Sequence, residues 1–135
     1  MKKILFIFSC FLLMNCGSET VVNNCFLGIS INETINLSNP EFIDLQVPGS
    51  HATTVLQGRN IIIIRRTSSE YKVFDLQCPE GECSSPMTFD GLKLICSCDQ
   101  KEYNSLNGSP IDGEGCFALE YNVLHTSSST LQITR

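Results

Sequence analysis

The chain has 135 residues, with nine basic residues, fourteen acidic residues and a formal net charge of −5. This length is that of one ordinary domain, so we expect a single core and no second module. An acidic domain repels a phosphate backbone, which argues against a nucleic-acid partner.

The N-terminus has the pattern of an export signal. Lys2 and Lys3 precede an apolar run from Ile4 to Met14. A short charged region followed by such a run is typical of a secretory signal, and the run is too short to span a bilayer. We therefore predict that residues 1–15 are a signal peptide.

The end of this run looks like a lipoprotein signal, with Cys16 as the acylated first residue of the mature chain. Asn15 departs from the small residue that is usual before such a cysteine. Cleavage nearby that leaves Cys16 as a thiol is the alternative. We predict a lipidated tether at 16–25 and a folded domain at 26–135.

Lipidation would place the protein on a membrane. An anchor with two or more acyl chains is enough for stable attachment. We expect the protein on the periplasmic or outer face of a membrane of the bacterial cell envelope. We also expect its partner to be an envelope protein, whose identity the sequence does not give. Without residues 1–15, seven basic and fourteen acidic residues remain, a net charge of −7.

The cysteines predict disulfide bonds. Of the eight, Cys10 leaves with the signal and Cys16 carries lipid. The remaining six are Cys25, Cys78, Cys83, Cys96, Cys98 and Cys116. In an oxidising compartment six thiols predict three disulfides, and their order in the chain leaves all connectivities open.

Short apolar segments in the first half of the mature chain indicate strands. Residues from Ile31 to Leu37 alternate as in a half-buried strand, and so do those from Phe42 to Val47, before Pro48 and Gly49 end the segment. The run from Asn60 to Ile64 is β-branched after its first residue, which predicts a strand covered on both faces.

The second half continues the all-β pattern. Residues from Tyr71 to Leu76 alternate, and Asp90-Gly91 stands between two apolar segments as a strong hairpin signal. Residues from Leu119 to Leu124 are expected to face Thr130 to Thr134 across a serine turn. No window of ten residues shows a convincing helical stripe.

Two cysteine boxes mark the middle of the chain. The first is Cys78-Pro79-Glu80-Gly81-Glu82-Cys83, and the second is Cys96-Ser97-Cys98-Asp99. They resemble the cluster-binding loops of Rieske iron–sulfur domains, which read Cys-Thr-His-Leu-Gly-Cys and Cys-Pro-Cys-His. The resemblance covers about Phe42 to Ile133. It implies an all-β, antiparallel sandwich with a small inserted subdomain that carries the two loops.

The resemblance also implies roles for individual residues. Cys78 and Cys96 match the two thiolate ligands of one iron, and Glu80 and Asp99 fall on the two histidine ligands of the other. Two neutral imidazoles raise the potential of a Rieske cluster, and two carboxylates would add negative charge instead. We therefore expect no cofactor, with a [2Fe-2S] cluster at these four positions as the alternative.

Disulfide pairings follow from the same resemblance. Cys83 and Cys98 match the bond that ties the two loops of the family together. Without iron, Cys78 and Cys96 would be close enough to form a second disulfide after a modest loop shift, provided that their Cβ geometry allows it. The resemblance leaves Cys25 and Cys116 as the third pair.

Three functions remain open at this stage. The first is a membrane-anchored binding or structural module without a cluster, and the second is an electron carrier with an atypical [2Fe-2S] cluster. The third is a zinc site formed by the four cysteines of the two boxes, although a Cys-x-Cys pair suits zinc less than wider spacings do. No catalytic residue is predicted, because His51 and His125 both lie outside the boxes.

Overall fold

The structure, a computed structural model, describes residues 24–135. The predicted signal peptide at 1–15, the lipidation site Cys16 and most of the tether at 16–25 lie outside the described residues, and the domain limits stay a prediction. Within residues 24–135, no helix has the length and apolar character needed to cross a bilayer.

Short antiparallel strands are the main regular secondary structure of this part of the chain, with one 3₁₀ helix. In order, the elements are β1 (Asn32–Asn36), a 3₁₀ helix (Pro40–Gln46), β2 (His51–Leu56), β3 (Arg59–Arg65), β4 (Tyr71–Asp75), β5 (Thr88–Phe89), β6 (Lys93–Ile95), β7 (Glu102–Asn104), β8 (Glu120–Ser127) and β9 (Thr130–Thr134). The predicted all-β class is confirmed.

Two sheets divide these strands. The larger sheet has six strands in the order β1-β9-β8-β4-β3-β2, and the smaller has three in the order β5-β6-β7. Strands β4 and β8 pair directly, with Val73 opposite Tyr121, although all three strands of the small sheet lie between them in the chain. The small sheet is therefore an inserted subdomain, as the family resemblance implied.

Strand β3 separates two hydrophobic cores. Ile61 and Ile63 pack in the core of the large sheet, whereas Ile62 and Ile64 pack in a second core with residues of the inserted subdomain. Successive side chains of a strand point to opposite faces, so a β-branched run serves both cores at once. The prediction that this strand is covered on both faces is confirmed.

The prediction of a strand from Phe42 to Val47 is wrong, because Pro40–Gln46 forms a 3₁₀ helix. Proline fixes φ at a value suited to the first helical position, and here it occupies the start of the helix. Phe42 and Leu45 are both buried, and residues three apart share one face of a 3₁₀ helix. The apolar spacing that matters is three residues rather than two.

The strands expected near Ile31–Leu37, Asn60–Ile64 and Tyr71–Leu76 are present as β1, β3 and β4. Both predicted hairpins are also present, as β5 with β6 and as β8 with β9. Sequence reasoning missed β2 and β7. Strand β2 is joined to β3 by Gln57 and Gly58, which both have positive φ, as a two-residue hairpin turn requires.

Candidate functional site

Both cysteine boxes lie in loops of the inserted subdomain. The first box follows β4, and the second connects β6 to β7. The second loop is closed by two backbone hydrogen bonds: the Cys96 amide donates to the Lys101 carbonyl at 2.8 Å, and the Gln100 amide donates to the Cys96 carbonyl at 3.0 Å. The Ser97 hydroxyl donates to the Pro86 carbonyl at 2.6 Å and so ties this loop to the segment after the first box.

Two disulfides join the boxes directly. Cys78 is bonded to Cys96 with 5.5 Å between Cα atoms, and Cys83 is bonded to Cys98 with 5.8 Å. A third disulfide joins Cys25 to Cys116, with a Cα distance of 5.6 Å. The expectation of disulfide bonds is confirmed. Cys83–Cys98 is the pair that the family resemblance implied, and the other two are the pairs expected if no iron is bound.

The two box disulfides differ in exposure although their sulfurs are close. The side chains of Cys78 and Cys96 are 1% and 2% exposed, while Cys83 is half-buried and Cys98 is exposed. The Sγ atoms of Cys78, Cys83 and Cys96 all lie within 4.8 Å of one another. A cavity of about 230 Å³ opens beside them, lined by the four box cysteines with Glu80, Glu82 and Asp99.

Glu80, at a histidine position of the family, holds neighbouring segments together. Its Oε1 accepts hydrogen bonds from Lys101 Nζ and from the Cys116 amide, each at 3.3 Å. Lys101 Nζ also lies 3.8 Å from Asp112 Oδ2. A Cβ at Gly115 would lie 2.6 Å from Glu80 Oε1, and Gly115 has a φ of +98°. Glycine is therefore the residue that lets this loop cover the carboxylate.

Asp99, at the other histidine position, has a local partner. Its Oδ1 accepts a hydrogen bond from the Lys101 amide at 2.9 Å and closes a turn within the second loop. Nearby, Tyr103 is fully buried, and among residues 24–135 its hydroxyl has no hydrogen-bond partner. Burial, together with the charges of Asp99, Glu80 and Asp112, raises the pKa of Tyr103 to about 12. The cysteine loops therefore lie in a negative electrostatic environment.

The residues at the four cluster positions do not fit a Rieske cluster as they stand. Cys78 and Cys96 share a disulfide, so neither offers the thiolate that iron requires. Glu80 and Asp99 offer oxygen in place of imidazole nitrogen, and both accept hydrogen bonds from neighbouring donors. Cys78 and Cys96 could bind a metal only after reduction.

Both histidines have partners outside the cysteine loops. The His51 ring packs edge-on against Phe89 with 5.0 Å between ring centroids. His125 Nε2 lies 2.9 Å from the Ser69 carbonyl oxygen, and its ring is 5.3 Å from that of Tyr71. These contacts place both rings apart from the two cysteine boxes.

Sequence reasoning missed a buried charge network behind the first box. Asp75, only 1% exposed, accepts hydrogen bonds from Arg59 Nε, from the Tyr121 hydroxyl at 2.6 Å and from the Gln77 amide at 2.8 Å. Burial, and then the hydrogen bond to Asp75, raise the pKa of Tyr121. The network fixes the end of β4 at Asp75, two residues before Gln77, and the chain then continues into Cys78.

A signal for this network exists in the sequence. Asp75 is the only carboxylate of β4 and follows the apolar pair Val73-Phe74, and a buried charge of this kind requires a partner. The strand that pairs with β4 begins with Arg59, which supplies that partner.

No protein-family model matches the sequence, and comparison with curated proteins gives no significant match. Among solved structures, the chain is similar to a protein described as an NADH-dependent nitrite reductase small subunit from Mycobacterium tuberculosis. The identity is 14% and the TM-score 0.51, covering 79% of this chain and 96% of the other.

The E. coli protein NirD is a second similar structure, with 13% identity and a TM-score of 0.50, covering 79% of this chain and 98% of NirD. At such low identity the likeness concerns the fold alone. These similarities, the inserted three-stranded subdomain and the placement of the two cysteine loops agree with one another. The chain has a Rieske-like fold.

Proposed function

We propose that this protein is a lipid-anchored Rieske-like module of the bacterial cell envelope that works without an iron–sulfur cluster. In this proposal it serves as a binding or structural component, and its partner is an envelope protein. The observation that carries the proposal is the buried Cys78–Cys96 disulfide, which uses both of the thiolates that a cluster would need.

The carboxylates support the same proposal. Glu80 accepts hydrogen bonds from the second cysteine loop, through Lys101, and from the covering loop, through the Cys116 amide. A side chain that links two loops in this way acts as a structural support. Ionised oxygen ligands would also stabilise ferric iron, which lowers the potential that the two imidazoles of a Rieske centre raise.

Exposed apolar side chains on the subdomain are suited to binding a protein partner. Leu92, in the turn between β5 and β6, is 81% exposed, and Leu106, after β7, is 45% exposed. Their loops are neighbours, because the Ser105 hydroxyl donates to the Leu92 carbonyl at 2.6 Å. Large exposed side chains on adjacent loops are features that protein interfaces use.

The absence of an iron–sulfur cluster is tested on the mature protein, purified without reductant. Iron, acid-labile sulfide, the visible spectrum and free thiols are measured on one sample. We expect a colourless protein with no stoichiometric iron, and with its six mature-domain cysteines unreactive to alkylation until they are reduced. Stoichiometric iron and sulfide with a Rieske-type or ferredoxin-type spectrum would contradict the proposal.

A matched variant tests the role of the two carboxylates. Glu80→His with Asp99→His restores the imidazole positions while all cysteines are kept. Under reducing reconstitution with iron and sulfide, we expect cluster incorporation in this variant and none in the parent chain. Equal incorporation in both proteins would show that the carboxylates do not decide the outcome.

Membrane attachment is tested separately through Cys16. Cys16→Ser should move the protein to the soluble envelope fraction or leave it unprocessed, because it removes the acylated residue. Normal processing with unchanged membrane partitioning would contradict the lipid anchor and leave the cluster experiment unaffected.

A second candidate function is electron transfer through an atypical [2Fe-2S] cluster held by Cys78, Cys96, Glu80 and Asp99. The observation that favours it is the position of its two sulfur ligands: the Sγ atoms of Cys78 and Cys96 lie within 4.8 Å of each other, close enough to ligate one iron after reduction. The iron and sulfide measurement decides between the two functions.

A further inference from the structure

The two box disulfides form a pair with opposite access to solvent. Cys83–Cys98 has an exposed end at Cys98, while both ends of Cys78–Cys96 are buried. An external thiol can therefore approach only the first of these bonds. Cys83, the inner end of the exposed disulfide, has its Sγ within 4.8 Å of both sulfurs of the buried one.

We propose that the two disulfides form a thiol–disulfide exchange relay. The exposed bond between Cys83 and Cys98 reacts with the dithiol of a partner protein, and Cys83 then transfers the exchange to the buried bond between Cys78 and Cys96. This proposal goes beyond the binding role proposed above and does not depend on the lipid anchor.

The first step is a complete dithiol–disulfide exchange. One thiolate of the partner attacks Cys98 Sγ, the bond between Cys83 and Cys98 breaks, and Cys83 leaves as a thiolate. The second thiol of the partner then attacks the sulfur of the partner's first cysteine in the mixed disulfide and releases Cys98 as a thiol. The partner dithiol is oxidised to a disulfide, while Cys83 and Cys98 together gain two electrons and two protons.

The second step is internal and needs no further reductant. The Cys83 thiolate attacks Sγ of Cys78 or of Cys96, and the bond between those two cysteines breaks. A new disulfide joins Cys83 to the cysteine attacked, while the other cysteine leaves as a thiolate and takes up the proton that Cys83 released. A separation within 4.8 Å requires only a small side-chain movement for this attack.

The charges around the cavity indicate the class of partner. Glu80, Glu82 and Asp99 line it together with the four cysteines, so the rim is acidic. An acidic rim repels an anionic surface, attracts a basic one and does not repel a neutral one. The partner class is therefore a dithiol protein with a neutral or basic surface around its reactive cysteines.

The third disulfide serves as an internal control. Cys25–Cys116 has an exposed end at Cys25 and a buried end at Cys116, and it is comparable with the relay pair, in which Cys98 is exposed and Cys83 is half-buried. Within residues 24–135, its sulfurs do not belong to the group of three close sulfurs. A free thiol left at Cys116 should therefore stay there.

Cys98→Ser gives the direct test, because it leaves Cys83 as a free thiol beside an intact buried disulfide. After equilibration at mildly alkaline pH, acid quenching, alkylation and peptide mapping locate the thiol. We expect it to be shared among Cys83, Cys78 and Cys96. In the matched control Cys25→Ser, the thiol should remain on Cys116. A thiol confined to Cys83 in the first variant would overturn the proposal.

Reduction of the unmodified protein gives a second test, which stays valid if a variant fails to fold. With limiting amounts of a thioredoxin-type dithiol protein, the relay predicts a one-disulfide-reduced species that carries a bridge from Cys83 to Cys78 or to Cys96. Loss of the exposed bond alone, with Cys78–Cys96 kept in every partially reduced molecule, would overturn the relay.

The double variant Cys83→Ser/Cys98→Ser tests the route to the buried bond. Because the relay is removed, we expect the same dithiol protein to reduce Cys78–Cys96 about tenfold more slowly than in the unmodified protein. A loop loosened by loss of the exposed bond would make this reduction faster. A slower rate can therefore be attributed to loss of the relay. An unchanged or faster rate would show that the dithiol protein reaches the buried disulfide without Cys83, and would overturn the proposal.

Discussion

In the six-stranded sheet, strands of five to eight residues pack on a core that contains fifteen buried residues of the described range 24–135. The inserted subdomain has strands of only two or three residues, and its core contains ten buried residues, some of them from β3 and β4 of the large sheet. Two disulfides cross-link it, between cysteines 18 and 15 residues apart in the chain.

The two regions are therefore stabilised in different ways, the large sheet by apolar burial and the subdomain by disulfide bonds. Apolar burial, at about 25 cal/mol for each Å² removed from water, can stabilise the large sheet without covalent help. Strands of two or three residues bury too little to be stable alone, so covalent bonds between the loops take over. We therefore expect reduction to loosen the subdomain before the sheet.

The largest expected effect comes from the disulfide that links the two regions. Cys25→Ser with Cys116→Ser opens a loop of 91 residues between the N-terminal segment and the covering loop. Chain-entropy arguments predict a loss of about 4 to 5 kcal/mol in the free energy of unfolding. Urea denaturation of the oxidised protein measures it, and a loss below about 1 kcal/mol would contradict this constraint.

Adjacent residues of β3 compare the two cores directly. Ile63→Ala and Ile62→Ala should each lower the free energy of unfolding by about 3 kcal/mol, because both side chains are buried. Only Ile62 packs in the cluster that contains Cys78 and Cys96. We expect faster reduction of that disulfide in the Ile62 variant alone, measured by timed alkylation. Equal acceleration in both variants would show that the cores are not separate.

Asp75 tests the network that connects the large sheet to the first cysteine loop. Asp75→Asn leaves Arg59 and Tyr121 without their charged acceptor, and we expect a loss of about 2 kcal/mol in the free energy of unfolding. Tyr121→Phe is the control, because it removes one hydrogen bond and should cost about half as much. A larger loss for Tyr121→Phe than for Asp75→Asn would contradict the central role of the carboxylate.

Tyr103 should show an effect of the opposite sign. Its buried hydroxyl lacks a partner among the described residues, so Tyr103→Phe should raise the free energy of unfolding by about 1 kcal/mol.

Folding raises the pKa of Tyr103 from 10.0 to about 12. The folded state then binds more protons than the unfolded state between these values, so stability should fall as pH rises through this window. Tyrosinate absorbance should lose a late-titrating step in the variant, and an unchanged titration would contradict this assignment.

The smallest effects are expected at ion pairs near the surface. Lys101→Gln removes the cation between Glu80 and Asp112, and Lys72→Gln removes a comparable pair with Glu120 on the large sheet. Each should change the free energy of unfolding by less than about 1 kcal/mol. Added salt should weaken the effect of each substitution on the free energy of unfolding. A loss of several kcal/mol in the Lys101 variant would contradict this prediction and show that Lys101 is needed for the stability of the site.

Several local features were predictable from sequence because they depend on neighbouring residues. The β-branched run at Ile61–Ile64 requires two covered faces, and Asp90-Gly91 favours a hairpin between the two apolar segments that flank it. The spacing of the two boxes was sufficient for the family resemblance. The segment at Phe42 was misjudged because an alternating pattern and a three-residue pattern overlap over so few positions.

By itself, then, the sequence determined an all-β domain, the order of most of its strands, and two cysteine loops with carboxylates at the histidine positions. Only the tertiary structure decided that Glu80 accepts hydrogen bonds from Lys101 and from the Cys116 amide, and that Asp75 lies buried against Tyr121. It alone also places Cys83 beside a buried disulfide. These contacts join residues far apart in the chain, and local patterns carry no information about which distant side chains packing will bring together.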